Sequence, residues 1–77
     1  MSKWVGTLWN NSDIEIWEID GRMFALYGWN GEDYCDSWEV SDKDGFDAID
    51  PDTTYRIRPI TEEIDEDEWE IVGMELR

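Results

Sequence analysis

Ile14-Glu15-Ile16-Trp17-Glu18-Ile19 reads as a β-strand, Asp20-Gly21 breaks it, Arg22-Met23-Phe24-Ala25-Leu26-Tyr27-Gly28-Trp29 is a second β-prone run, Asn30-Gly31 breaks that one, and residues 32–40 form a third. Asp-Gly and Asn-Gly are the dipeptides that two-residue hairpins prefer, because a type I′ turn needs positive φ at both central positions. Two such breaks between β-prone runs predict a three-stranded meander over 14–40.

The turns also predict which side chains meet. A two-residue loop at Asp20-Gly21 sets Ile19 opposite Arg22, Trp17 opposite Phe24, Ile16 opposite Ala25 and Ile14 opposite Tyr27. A two-residue loop at Asn30-Gly31 sets Tyr27 opposite Tyr34 and Met23 opposite Trp38. A four-residue loop over 30–33 shifts those partners by two and keeps their parity. One face then carries Ile14, Ile16, Met23, Ala25, Tyr27, Trp29, Tyr34, Trp38 and Val40, and this face is the expected core. The other carries Trp17, Ile19, Phe24, Leu26 and Cys35 among Asp33, Ser37 and Glu39. A slip of one residue would exchange the faces. Apolar side chains on both faces imply a curled sheet with little wet surface.

Outward from the meander, residues 3–9 read as an earlier strand and Asn10-Asn11-Ser12-Asp13 as a polar turn. Residues 41–54 are rich in Asp, Gly and Pro and read as a long loop, with Phe46 and Ile49 spaced to anchor one helical turn on the core. Tyr55-Arg56-Ile57-Arg58 alternates as a fifth strand, which Pro59 either marks as an edge or ends. Trp69–Leu76 reads as a sixth strand. The competing reading is a helix starting after Thr61, but that puts Glu68 on one face with Ile64 and Ile71. Residues 1–77 thus form a single acidic all-β domain: a small antiparallel meander of about six strands, curled into a barrel or a strongly bent sheet of SH3-like or OB-like size.

Seventy-seven residues make a small core, and six Trp, three Tyr and two Phe enlarge it. Charge dominates the composition: 21 Asp and Glu against 6 Lys and Arg give −15 at pH 7. That field opposes compaction unless the carboxylates are solvated or meet a cationic partner. It argues against direct binding of nucleic acid, which needs a basic footprint, and against anionic lipid. One cysteine and no histidine exclude an intramolecular disulfide and a four-ligand Cys/His zinc site. The absence of an apolar leader or span predicts a cytoplasmic protein with a reduced thiol.

The functional candidates are carboxylates. In 62–70 seven of nine residues are acidic: Glu62, Glu63, Asp65, Glu66, Asp67, Glu68 and Glu70. Glu32, Asp33 and Asp36 extend the set, and so do the loop acids Asp42, Asp44 and Asp47. Alternate strand residues lie about 6.8 Å apart and neighbouring strands about 4.8 Å apart, so acids on adjacent strands form a dense negative grid. Such a grid imitates nucleic-acid phosphates, and these thirteen residues are the expected partner-binding surface. The bland counterpart is a solvated acidic face with no partner. Asp42-Lys43-Asp44-Gly45 does not fit a calcium loop. With Gly45 at the sixth position, Val40 and Pro51 fall where carboxylates are needed. Chance Asp/Glu pairs do not make a glycosidase in a chain too small for a deep cleft. Cys35, among acids, reads as structural. Arg56 and Arg58 are expected to pair with nearby acids. No enzymatic role, cofactor or metal is expected.

In composition over its whole length, most densely in Glu62-Glu63-Ile64-Asp65-Glu66-Asp67-Glu68, the chain resembles the small acidic inhibitors that phages carry against host defence, including anti-CRISPR proteins and other DNA mimics. The resemblance implies a non-catalytic inhibitor that occupies the cationic nucleic-acid site of a nuclease or other DNA- or RNA-binding protein. Two alternatives stand beside it. One is a small acidic structural or protein-interaction domain, from a salt-loving or simply acidic proteome, with no nucleic-acid mimicry. The other is a ligand module that stacks sugars on exposed Trp. The sequence leaves the oligomeric state open.

Overall fold

The computed structural model describes residues 2–8, 11–42, 44–60 and 68–76. Six strands, β1 (Ser2–Leu8), β2 (Asn11–Ile19), β3 (Arg22–Ala25), β4 (Tyr34–Val40), β5 (Thr53–Pro59) and β6 (Trp69–Leu76), lie side by side in chain order. Every neighbouring pair is antiparallel. The architecture is therefore all-β, a single six-stranded meander.

The β2–β3 hairpin forms as its turn chemistry dictates. Asp20 and Gly21 both take positive φ, 54° and 81°. Ile19 pairs Arg22, Trp17 pairs Phe24 and Ile16 pairs Ala25. The next connection takes the four-residue option: Met23 pairs Val40, Ala25 pairs Trp38 and Trp29 bridges Tyr34. Asn30 decides this. Its side-chain oxygen accepts from the Glu32 and Asp33 amides, and its side-chain nitrogen donates to Asp33. The asparagine thus closes a loop longer than the one Asn-Gly alone favours.

Each face of the sheet carries a buried cluster. Trp17, Ile19, Phe24, Leu26, Tyr55 and Ile57 form one cluster, with Tyr34, Trp69 and Ile71 packed against it. Ile14, Ile16, Ala25 and Val40 form the other, with Val5, Leu8, Met23, Trp38 and Phe46 at its margin. This corrects the expected core, which was the second face. The larger cluster lies on the face of Trp17, because β5 and β6 cover that side with Tyr55, Ile57, Trp69 and Ile71. Tyr27 and Trp29, expected inside, are each 50% exposed. Tyr34 changes side through a bulge in β4. Tyr34 pairs Ile57 and Ser37 pairs Tyr55, so one extra residue of β4 stands against β5.

Other boundaries differ from expectation. Asn11, Ser12 and Asp13 belong to β2, where Asn11 pairs Leu8, and are not a turn. The third strand stops at Ala25, short of the expected Trp29, and Gly28 beyond it takes a φ of 79°. In 41–52, Phe46 packs on the second cluster while Ile49 is 58% exposed and is no anchor. A short bridge, Val40 to Ala48, holds that loop instead. Pro59 ends β5, which is an interior strand between β4 and β6. Trp69–Leu76 is a strand, not a helix, with Trp69 and Ile71 turned inward. The earlier part of the competing helix lies outside the described residues.

The sheet bends until β1 meets β6 at one corner. There the Trp69 amide donates to the Ser2 hydroxyl over 2.8 Å, and the hydroxyl donates back to the Trp69 carbonyl. Among the described residues β1 and β6 share no ladder, so the sheet is strongly bent and not closed into a barrel.

Gly28 gives the first test. A β-carbon there would lie 2.9 Å from Asp36 Cβ and 3.0 Å from the Asp36 amide nitrogen, on a backbone at positive φ. Gly28→Ala is expected to lose about 1–3 kcal/mol. The measurement is a lower urea midpoint at unchanged slope.

Candidate interaction surface

The expected acids fall into two groups, set by topology. Glu32, Asp33, Asp36, Glu68 and Glu70 lie where the β3–β4 loop meets the end of β5 and the start of β6. Asp36 donates its amide to Tyr27, and Glu68 accepts from the Ile60 amide through its carbonyl. Asp42, Asp44 and Asp47 lie on the β4–β5 loop at the opposite end, beside the Asp20-Gly21 turn. The seven residues of β4 separate the groups, a distance of about 20 Å. Glu62, Glu63, Asp65, Glu66 and Asp67 lie outside the described residues.

Two members are committed to structure. Asp33 is buried, with 3% of its side chain exposed, and accepts from Arg56 Nε at 3.1 Å and Nη2 at 2.9 Å. It therefore does not stand on the surface where the phosphate analogy placed it. Glu70 accepts from Arg58 at 2.5 Å. The two arginines do pair with neighbouring acids, as their alternation among carboxylates implied. Arg22 binds Glu39 in the same manner and lies over the rings of Phe24 and Tyr55.

These pairs shift the guanidinium equilibria. The Arg22 pKa is raised, chiefly by its hydrogen bond to Glu39, and the Arg56 pKa is raised, chiefly by its hydrogen bond to Asp33. A raised pKa contributes stability below the unfolded value and loses it as pH climbs through the folded value. Both lie far above neutrality, so these cations stay charged and their pairings do not switch near pH 7.

Sequence reasoning left out the other acids at the loop end. Asp50 and Asp52 are exposed on the same loop, Asp20 is exposed at the adjoining turn, and Glu75 pairs Thr54 near the end of β6. Asp50 also shapes the loop: its carboxylate accepts from the Asp52 amide and the Thr53 hydroxyl. The antiparallel order was the available signal. The Asp20-Gly21 turn, the 41–52 loop and the end of β6 must share one end of a six-stranded meander.

Beside the first group runs an open groove of about 840 Å³, bordered by Trp29, Glu32, Arg56, Arg58, Pro59 and Glu70. Trp29 is the exposed end of a chain of rings, with centroids 4.9 Å from Tyr34, then 5.6 Å to Trp69 and 5.7 Å to Trp17. That support fixes an exposed indole at little entropic cost. Cys35 is half-buried and donates to the Gly28 carbonyl, which accounts for it structurally. Among the described residues no group of three or more His, Cys, Asp or Glu stands ready to hold a metal ion. Nor is any helix among them long and apolar enough to cross a membrane.

Comparison of the chain with protein-family models, with curated proteins and with solved structures gave no match.

Proposed function

We propose that the protein is an acidic, non-catalytic inhibitor that occupies the cationic nucleic-acid site of a nuclease or other DNA- or RNA-binding protein in the cytoplasm, as an anti-CRISPR-type nucleic-acid mimic does. The supporting observation is charge per length. Fifteen net negative charges on a body 32 Å long amount to roughly one per 2 Å, against one per roughly 1.7 Å in duplex DNA. The longest axis also approaches the roughly 34–36 Å of one duplex turn. Acids at both ends of the sheet suit this better than a single patch, because a duplex groove on a protein is long. Trp29 and Trp4, 50% and 53% exposed, supply apolar contact that phosphates lack.

The test is displacement of fluorescent duplex DNA from a cationic nuclease domain at low salt. Displacement at an equimolar ratio supports the reading, and failure at a large excess over a panel of such domains removes it. Neutralising either acidic stretch, as Asp42→Asn with Asp47→Asn or as Glu66→Gln, Asp67→Asn and Glu68→Gln, is expected to weaken inhibition about 3- to 30-fold with the melting temperature held or raised. Parent-like affinity in both variants would place the contact elsewhere.

A further inference from the structure

We infer that β6 is a docking edge, and that its occupant is an extended cationic segment of the partner, which adds to the sheet as a seventh strand. The inference rests on the proposed cationic partner and names how that partner is held. Of the seven large apolar side chains exposed among the described residues, three belong to this one strand: Val72 at 38%, Met74 at 58% and Leu76 at 74%. Among the described residues the strand is at the edge of the sheet, paired to β5 on one side only. The corner contact with Ser2 uses the backbone of Trp69, and no strand among the described residues pairs with 71–76 on the outer side.

Exposed edges are usually blunted by lysine, proline or covering loops. β6 carries no lysine or proline, and instead presents apolar side chains beside Glu75. A bulge at Val72 twists the strand, but 73–76 resume regular pairing with Arg56, Tyr55, Thr54 and Thr53. Strand addition draws affinity from main-chain hydrogen bonds and specificity from alternate side chains. Here the alternation asks for apolar residues against Met74 and Leu76 and for cations between them, toward Glu75. A second copy of this chain is the poorer occupant, because each copy would bring fifteen net negative charges to the same edge.

The probe is an eight-residue peptide alternating lysine and valine, compared with the same peptide N-methylated at every residue, because methylation at alternate residues would block one edge only. The N-methylated form keeps charge and side chains and cannot pair as a strand. The readout is amide chemical-shift change and hydrogen exchange in the full-length protein. Expected are shifts and protection concentrated in 71–76, with affinity lowered at least about tenfold by N-methylation. Met74→Gln with Leu76→Gln, both at exposed positions, should reproduce that loss with an unchanged melting temperature. Equal binding of both peptides with steep salt dependence overturns strand docking and leaves the cationic-partner reading standing. Binding of neither peptide at any salt removes both. Shifts confined to 41–52, or protection of β6 that grows with protein concentration without peptide, also overturns strand docking, the last in favour of self-association.

Discussion

Phe24→Ala is expected to bring the chain close to its unfolding midpoint at 25 °C. Phe24 is fully buried at the centre of the larger cluster. Its ring meets Tyr55 edge-on with centroids 5.0 Å apart, and the Arg22 guanidinium lies 5.1 Å from its centre. It pairs across the hairpin with Trp17. Removing a buried phenylalanine costs about 3–5 kcal/mol through lost transfer energy and the cavity left behind. A domain of this length has a total stability of roughly 4–12 kcal/mol at typical values per residue. The charge of −15 places this chain toward the low end, because self-repulsion favours expansion. One truncation therefore removes most of the margin. The check is urea denaturation followed by far-ultraviolet circular dichroism in 150 mM salt, with Trp4→Ala as control. Trp4 is 53% exposed, so its loss is expected to cost under about 1 kcal/mol. A Phe24→Ala midpoint within experimental error of the parent would mean that the two-sided core is not what holds this sheet.

The hairpin that carries Phe24 was legible because everything that specifies it is local. Asp20-Gly21 fixes the turn, the turn fixes the register, and the register fixes the faces. The next connection was legible only in parity. Whether two or four residues turn there depends on the Asn30 side chain bonding Asp33, Glu32 and its own loop. Which face holds the larger core was not legible, since it depends on β5 and β6 arriving from more than thirty residues away in sequence. The bulge that carries Tyr34 across the sheet has no turn dipeptide to announce it. The same distinction governs the surface. Arg56 and Arg58 alternate among carboxylates, so pairing was readable. That the acid of Arg56 is Asp33, drawn inside, follows from the β4–β5 ladder. Acids near one another in the chain were treated as one surface, yet β4 carries Asp36 and Asp42 toward opposite ends.

That division shapes the second large effect, the response of binding to salt. Affinity for a cationic nucleic-acid site is expected to fall about 10- to 100-fold between 50 and 200 mM salt. Duplex DNA on the same site loses roughly 10³–10⁵ when six to ten phosphates are engaged, because it releases condensed counterions. The protein should lose less. Its carboxylates cover a body of 32 × 25 × 22 Å, not two continuous strands, and three of them are already neutralised by Arg22, Arg56 and Arg58. Fewer ions are condensed, so fewer are released. What remains is screening of long-range attraction over a Debye length that shrinks as salt rises, and it should appear mainly in the association rate. Stopped-flow association of a tryptophan-silent target domain, at four ionic strengths, separates the rates. The expected pattern is a steep fall in association rate with a nearly constant dissociation rate, which apolar contacts at Trp29 and β6 would set. An affinity indifferent to salt would assign recognition to those apolar surfaces alone and leave the fifteen charges without a role in binding. Marked stabilisation of the unbound domain by molar salt, without any gain in partner binding, would instead mark the acids as an adaptation to a saline cytoplasm.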